Sequence, residues 1–244
     1  MTLKSRIAAG DALGAIWLTL GGSAIAEVAA REAPDLLVID LQHGLFDRLG
    51  LEAAVGAARK VPVLARVAEN RLALINEALD AGATGVIVPL VETAQGAAAA
   101  VAAAHYPPHG RRSAGGVRPL ADFGAYVGGA AARTVTMVMI ETAAGVAAAA
   151  EIAATPGLDM VFIGTGDLAI SLGCAPGDPA HEAACDAVLA ACQAAQTPCG
   201  IFTMNAEAAA ARAAQGYGLA VVANDIALVG AGVAQARERF AGGQ

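Results

Sequence analysis

The chain has 244 residues, 57% of them hydrophobic and 15% charged, enough apolar material to bury a large core in a single domain spanning 1–244. Its formal net charge of −7 supplies no basic field for nucleic acid or an anionic membrane surface, so an anionic ligand must be held by particular arginines, a cation or backbone amides. Mean hydropathy reaches +0.57, but alanine supplies most of it; no apolar run of about 20 residues escapes Gly, Pro or charge, and no secretory leader is evident, so the expected location is the cytoplasm.

In chain order, the first β-rich run is GAIWLTL at 14–20, carrying Trp17. The Gly21-Gly22 pair that follows lacks a dinucleotide fingerprint and reads as a tight strand-to-helix turn, so no nucleotide cofactor is expected. DLLVID at 35–40 closes on Asp40 and leads into LQHG with His43. VPVLARV at 61–67 places Arg66 in an otherwise apolar strand, where a permanent charge is costly unless it meets an anion, a developing oxyanion or an ion-pair partner.

GVIVPL at 85–90 is followed by an alanine-rich helix and then by HYPPHGRRSAGGVRPLADFGAYVGG at 105–129, whose length and Gly, Pro and Arg content suggest a functional loop. TVTMVMIE at 134–141 ends in Glu141, with Met139 two residues before it. DMVFIG at 159–164 runs into the turn Gly164, Thr165, Gly166, Asp167. PCGIFTM at 198–204 carries Phe202, and LAVVAN at 219–224 precedes a last helix, from about 225 to 240, that either caps its own barrel or packs on another subunit. Eight nearly continuous apolar strands alternating with helices predict a closed parallel (β/α)8 barrel rather than an open doubly wound sheet.

The cysteines, Cys174, Cys185, Cys192 and Cys199, are 11, 7 and 7 residues apart, without a CxxC pair or a histidine cluster, and read as inert buried thiols. The chain has two lysines, Lys4 near its start and Lys60 before the third strand, at the end of the barrel away from the expected site. A Schiff-base route, which needs a lysine inside the site, is therefore closed.

Polar residues at strand ends gather on one face of such a barrel: Asp40, His43, Arg66, Glu141 and Asp167. Glu141 and Asp167 lie 26 residues apart, one β/α unit, so their carboxylates can meet at neighbouring strand ends. Oxygen ligands suit a hard divalent cation, Mg2+, Mn2+ or a related ion, completed by substrate and water; the alternative is two strand-end or helix-capping acids. A 2-oxo acid chelated there would give up an α-proton to form an enolate. His43 suits a general base, with Asp40 positioned to orient its ring; Gly164 and Gly166 permit close backbone approach, and helix-start amides near Asp167 suit a carboxylate.

DLLVIDLQHG, VLARV followed by DAGATGVIVPLVET, HYPPHGRRS, MIET and DMVFIGTGDLAISLG occur in one order along nearly the whole chain, and together they resemble the HpcH/HpaI family of metal-dependent (class II) pyruvate aldolases, of the 4-hydroxy-2-oxoheptanedioate or 2-keto-3-deoxy-sugar-acid type. The resemblance implies that Glu141 and Asp167 hold a divalent metal, Mg2+, Mn2+ or Co2+; that Arg66 stabilises the enolate; that His43 is the base; and that Gly166 and its neighbours contact pyruvate. It also implies that Asp80, which alone reads as a helix-end residue, supports the histidine from a neighbouring subunit, and that the assembly is a homohexamer with exchanged C-terminal helices. The implied reaction is reversible addition of pyruvate enolate to an aldehyde.

Two departures from the family pattern bear on specificity: Met139 stands where many relatives have Gln, and Thr165 where proline is common. The aldehyde is expected to meet Trp17, Leu45, Phe202 and the 111–128 loop, where Arg112 or Arg118 would bind a distal carboxylate. The alternatives are a citrate-forming transferase or oxaloacetate decarboxylase using the same enolate, and a metal- and oxo-acid-binding protein without turnover.

Overall fold

The computed structural model describes residues 1–242. Helix α1 (Leu3–Ala8) leads into β1 (Leu13–Leu18), α2 (Ser23–Arg31), β2 (Leu36–Asp40), α3 (Arg48–Ala57), β3 (Val63–Arg66), α4 (Leu72–Asp80), β4 (Gly85–Val88) and α5 (Ala94–Ala104). The second half continues through α6 (Val117–Leu120), α7 (Phe123–Arg133), β5 (Val135–Ile140), α8 (Ala143–Ala147), α9 (Ala149–Ala153), β6 (Met160–Ile163), α10 (Thr165–Leu172), α11 (Pro179–Ala194), β7 (Cys199–Ile201), α12 (Ala206–Ala214), β8 (Leu219–Asn224) and α13 (Asp225–Gly242). All eight expected strands are present, each parallel to its neighbours, and β8 pairs back onto β1 to close a barrel.

Side chains alternate across each strand, and the alternation explains why the apolar runs look continuous. On β2, Leu36 and Val38 fill the barrel interior while Leu37 and Ile39 pack outward against helices. On β5, Val135, Met137 and Met139 point inward and Val138 and Ile140 outward; on β6, Met160 and Phe162 point inward and Val161 and Ile163 outward. Both faces are dry, so both parities must be apolar. Continuing the inward parity by one step past the core reaches Asp40, Arg66 (after Leu64) and Glu141, which is why these polar groups cap the interior at its C-terminal mouth.

The other mouth is plugged. Leu3 and Ile7 of α1 are buried against Leu13, Val135 and Leu219, the first residues of β1, β5 and β8. Lys4 also lies here, its Nζ bonded to Thr134 O (3.0 Å) and paired with Asp159 (3.0 Å).

The 105–129 segment occupies this closed end too, against the expectation that it borders the site. It joins a helix to a strand, and within one protomer such connections run at the strands' N-terminal ends. Arg118 donates to Ala81 O and Glu52 O, and Arg112, its side chain fully buried, pairs with Asp80 (3.0 Å) between the rings of Tyr106 and Tyr126. Neither arginine can reach a substrate at the other mouth of its own barrel.

The last helix does not cap its own barrel. Asp225 is buried at its start, but Ile226, Leu228, Val229, Val233 and Phe240 are all exposed. Cys185, Cys192 and Cys199 are buried free thiols and Cys174 is partly exposed; burial pushes the Cys185 thiol up to about 11, in keeping with an inert role.

Candidate active site at the C-terminal mouth

A cavity of about 480 Å³ opens at the C-terminal ends of the strands. Its lining brings together Trp17, Asp40, His43, Arg66, Met139, Glu141, Gly164, Thr165, Gly166, Asp167 and Phe202, but not Asp80, Leu45, Arg112 or Arg118. Thr19, Ile170, Met204, Asn224, Ile226 and Ala227 also line it and were not picked out from the sequence, although Asn224 obeys the same strand-end rule as Asp40. Leu45 is exposed outside the lining.

Asp40 and Arg66 sit side by side in register at the ends of β2 and β3. Arg66 donates through Nε (2.9 Å) and Nη2 to the Asp40 carboxylate, which also accepts from Trp17 Nε1 (3.3 Å). The guanidinium lies 5.1 Å from the Trp17 ring centroid, and the ring itself packs edge-on against Phe202 (5.3 Å) and stacks with Phe162 (6.0 Å). With two of its nitrogens engaged and its plane fixed, Arg66 retains Nη1 without a protein acceptor among the described residues. Burial raises the Asp40 carboxyl, but the Arg66 hydrogen bonds and charge, with the His43 and Gln42 amides, more than offset it and hold the group below its usual range.

Asp40 does not orient the His43 ring. Its Oδ1 instead accepts the main-chain N–H groups of Gln42 (3.0 Å) and His43 (3.2 Å), so it holds the turn that presents the exposed imidazole. That turn is too tight for a side chain at Gly44, where a Cβ would lie 2.1 Å from Asp40 O.

Glu141 is 1% exposed. Its Oε1 accepts Leu90 N–H (2.8 Å), yet burial and, to a lesser degree, the nearby Asp167 carboxylate push it up to about 7. Gly164 makes this packing possible: a Cβ there would lie 2.5 Å from Glu141 Oε2 and 2.9 Å from Met139 Sδ. Met139 therefore fills space beside the carboxylate with a soft thioether and offers no hydrogen bond in place of an amide.

The fit of this pair to a divalent cation rests on its chemistry: two neighbouring carboxylates, one dry and short of positive charge, both facing the cavity. Among the described residues no third His, Cys, Asp or Glu joins them, so a cation would leave most of its coordination positions to substrate and water.

Asp167 lies in the first turn of α10, whose N-cap, Gly164, makes no side-chain cap, so the amides at Thr165, Gly166 and Asp167 open at the cavity wall without helical acceptors. Two bonds brace the turn. Thr165 Oγ1 donates to Phe202 O (3.2 Å), and His181 Nε2 meets Thr165 O at 3.0 Å. Because His181 Nδ1 accepts Gly177 N–H (3.2 Å), the proton belongs on Nε2.

Asp80 is at the opposite, closed end of the barrel, paired with Arg112. Within one chain it cannot touch His43. Neither lysine borders the cavity.

Comparison with known proteins follows the same lines. The family profile described as HpcH/HpaI aldolase/citrate lyase matches residues 14–243. A hydroxypyruvate/pyruvate aldolase of Paraburkholderia phytofirmans is 38% identical over 92% of this chain and 91% of its own length. A 4-hydroxy-2-oxovalerate aldolase of Rhodococcus jostii is 39% identical over 79% of this chain and 76% of its own. The crystal structure of an HpcH/HpaI aldolase/citrate lyase family protein from Burkholderia cenocepacia superimposes with a TM-score of 0.93 at 34% identity, covering 98% of both chains.

Proposed function

The chain belongs to the HpcH/HpaI aldolase/citrate lyase family, and from that premise we propose that it is a divalent-metal-dependent carbon–carbon lyase that adds pyruvate reversibly to an aldehyde and cleaves 4-hydroxy-2-oxo acids by the reverse path. The observation that carries this reading is the meeting of the Glu141–Asp167 carboxylate pair, the clamped Arg66 and the exposed His43 around one cavity without a lysine.

Glu141 and Asp167 would hold Mg2+, Mn2+ or Co2+, which supplies Lewis-acid polarisation of a keto oxygen when bound. The open amides of Thr165, Gly166 and Asp167 receive the substrate carboxylate. A ring nitrogen of His43 takes a proton from the methyl carbon and later returns one to the product. The unused Nη1 of Arg66 donates toward the oxygen where negative charge develops, and needs no reorganisation because Asp40 already holds its plane. Trp17, Met139 and Phe202 shield the reacting carbon from water.

Asp80 serves His43 only across a subunit boundary, in a cytoplasmic homohexamer whose α13 helices, apolar and exposed in the isolated chain, are exchanged between protomers.

The test is exchange of pyruvate methyl protons for deuterium in D2O, followed by NMR on metal-stripped protein with and without each cation. Metal-dependent exchange together with consumption of an aldehyde supports the reading. No exchange with any cation overturns it in favour of a binder, and loss of CO2 from oxaloacetate with no aldehyde ever consumed overturns it in favour of a decarboxylase.

A further inference from the structure

The carboxylate pair occupies the β5–β6 side of the cavity. Across the mouth, where β8 closes on β1, the wall has a different chemistry. Trp17 and Asn224 are register partners there, flanked by Thr19, Phe202, Met204, Ile226 and Ala227.

Asn224 is 8% exposed, and its Oδ1 accepts Ala227 N–H at 2.9 Å, capping α13. That bond settles which way round the amide lies. Its Nδ2 is left with two N–H donors and no acceptor among the described residues, at a position that lines the cavity. Thr19 is similarly anchored: its N–H donates to Asp225 Oδ2 (2.8 Å) and its carbonyl accepts Leu45 N–H (2.8 Å), leaving its hydroxyl at the cavity wall.

The charge behind this wall also points one way. Asp225 is 1% exposed, with Oδ2 shared by the Thr19 and Leu20 amides and Oδ1 buried without a donor among the described residues. The guanidinium that lines the cavity, Arg66, is taken by Asp40, and Arg112 and Arg118 lie at the other end of the barrel. A distal carboxylate would find no uncommitted cation of this chain on this wall and the Asp225 carboxylate behind it, whereas a hydroxyl would find amide N–H groups that have no protein acceptor among the described residues.

We propose that the β8–β1 wall is the acceptor subsite and that it selects a short, neutral aldehyde carrying a hydroxyl group, which Asn224 recognises through its side-chain N–H and Thr19 through its hydroxyl. The proposal rests on the aldolase reading above and names the substrate class of that same cavity.

The experiment measures kcat/KM for addition of pyruvate to glycolaldehyde, to propanal, which replaces the hydroxyl by a methyl group, and to succinic semialdehyde. Each is measured with the wild-type enzyme, Asn224→Leu and Asn224→Ser. The two small aldehydes differ in intrinsic reactivity, but that difference cancels when their ratio is compared between variants, as does any general loss of folded enzyme.

The glycolaldehyde-to-propanal ratio should fall roughly tenfold in Asn224→Leu. It should be partly retained in Asn224→Ser, which keeps both a capping oxygen and a donor. A ratio unchanged in Asn224→Leu, or a wild-type preference for succinic semialdehyde over glycolaldehyde, overturns the subsite while leaving the aldolase reading intact. Absence of methyl-proton exchange in the wild-type enzyme removes that reading, and the subsite with it.

Discussion

Replacing Asp40 by asparagine changes one charge and almost no volume, which makes it a sharp probe of how the site is held. The carboxylate is 2% exposed and accepts five N–H groups. Oδ1 serves Gln42, His43 and Arg66 Nε, and Oδ2 serves Trp17 Nε1 and Arg66 Nη2. An asparagine keeps one oxygen and turns an NH2 against donors on the other side, while Arg66, 9% exposed, loses its counter-charge.

Breaking one partner of a buried pair costs about 3–5 kcal/mol, and the surviving oxygen places Asp40→Asn near the lower bound, about 3 kcal/mol at pH 7. Urea denaturation at fixed protein concentration reads this directly. The pH dependence has a definite sign. Because the folded carboxyl titrates below the unfolded value near 3.8, its contribution is complete above that pH and disappears as pH falls through the folded value. The gap between wild type and variant must therefore close in acid. A loss under about 1 kcal/mol at pH 7, or a gap that widens below about pH 4, would refute the reasoning. A double-mutant cycle with Arg66→Met should give a coupling of about 2 kcal/mol or more.

Glu141 behaves in the opposite sense. Its carboxyl titrates at about 7 when folded and near 4.5 when unfolded, so the metal-free protein should lose about 3 kcal/mol as pH rises across that interval. Glu141→Gln should abolish that slope together with metal-dependent exchange, and a metal-free stability that is flat from pH 4.5 to 7 in the wild type contradicts this. Gly164→Ala forces a Cβ to 2.5 Å from Glu141 Oε2, so Mn2+ affinity measured by calorimetry should drop by about tenfold or more with the barrel still folded; unchanged Mn2+ binding would show that the close approach is unimportant. His43→Ala should slow methyl-proton exchange by about 100-fold or more while Mn2+ still binds, and near-normal exchange would assign the base elsewhere.

The alternation of apolar runs with helices made the barrel legible, and the strand-end rule found Asp40, Arg66 and Glu141 because inward parity continues past the core at each of those ends, and Asp167 because α10 starts directly after β6. Asn224 also ends its strand, but inward parity from Leu219 and Val221 points to Ala223, and only the register shift between β1 and β8 brings Asn224 level with Trp17. His181 gave no local signal, since its partners, Thr165 O and Gly177 N–H, are backbone groups brought to it by the fold.

The 105–129 segment was placed by the fold and not by its composition. Its position between a helix and a strand puts it at the closed end of its own barrel, where Arg112 and Arg118 hold helix and loop together. Periodicity and residue type, both local properties of the chain, thus determined the barrel, the absence of an imine lysine and the identity of the charged groups at the mouth. Ring closure decided the rest: that Asp40 grips Arg66 and a turn rather than an imidazole, that Gly164 seats Glu141, and that a neutral amide faces the carboxylate pair, because such pairings depend on which side chains converge once β8 meets β1, and no spacing along a single strand encodes that.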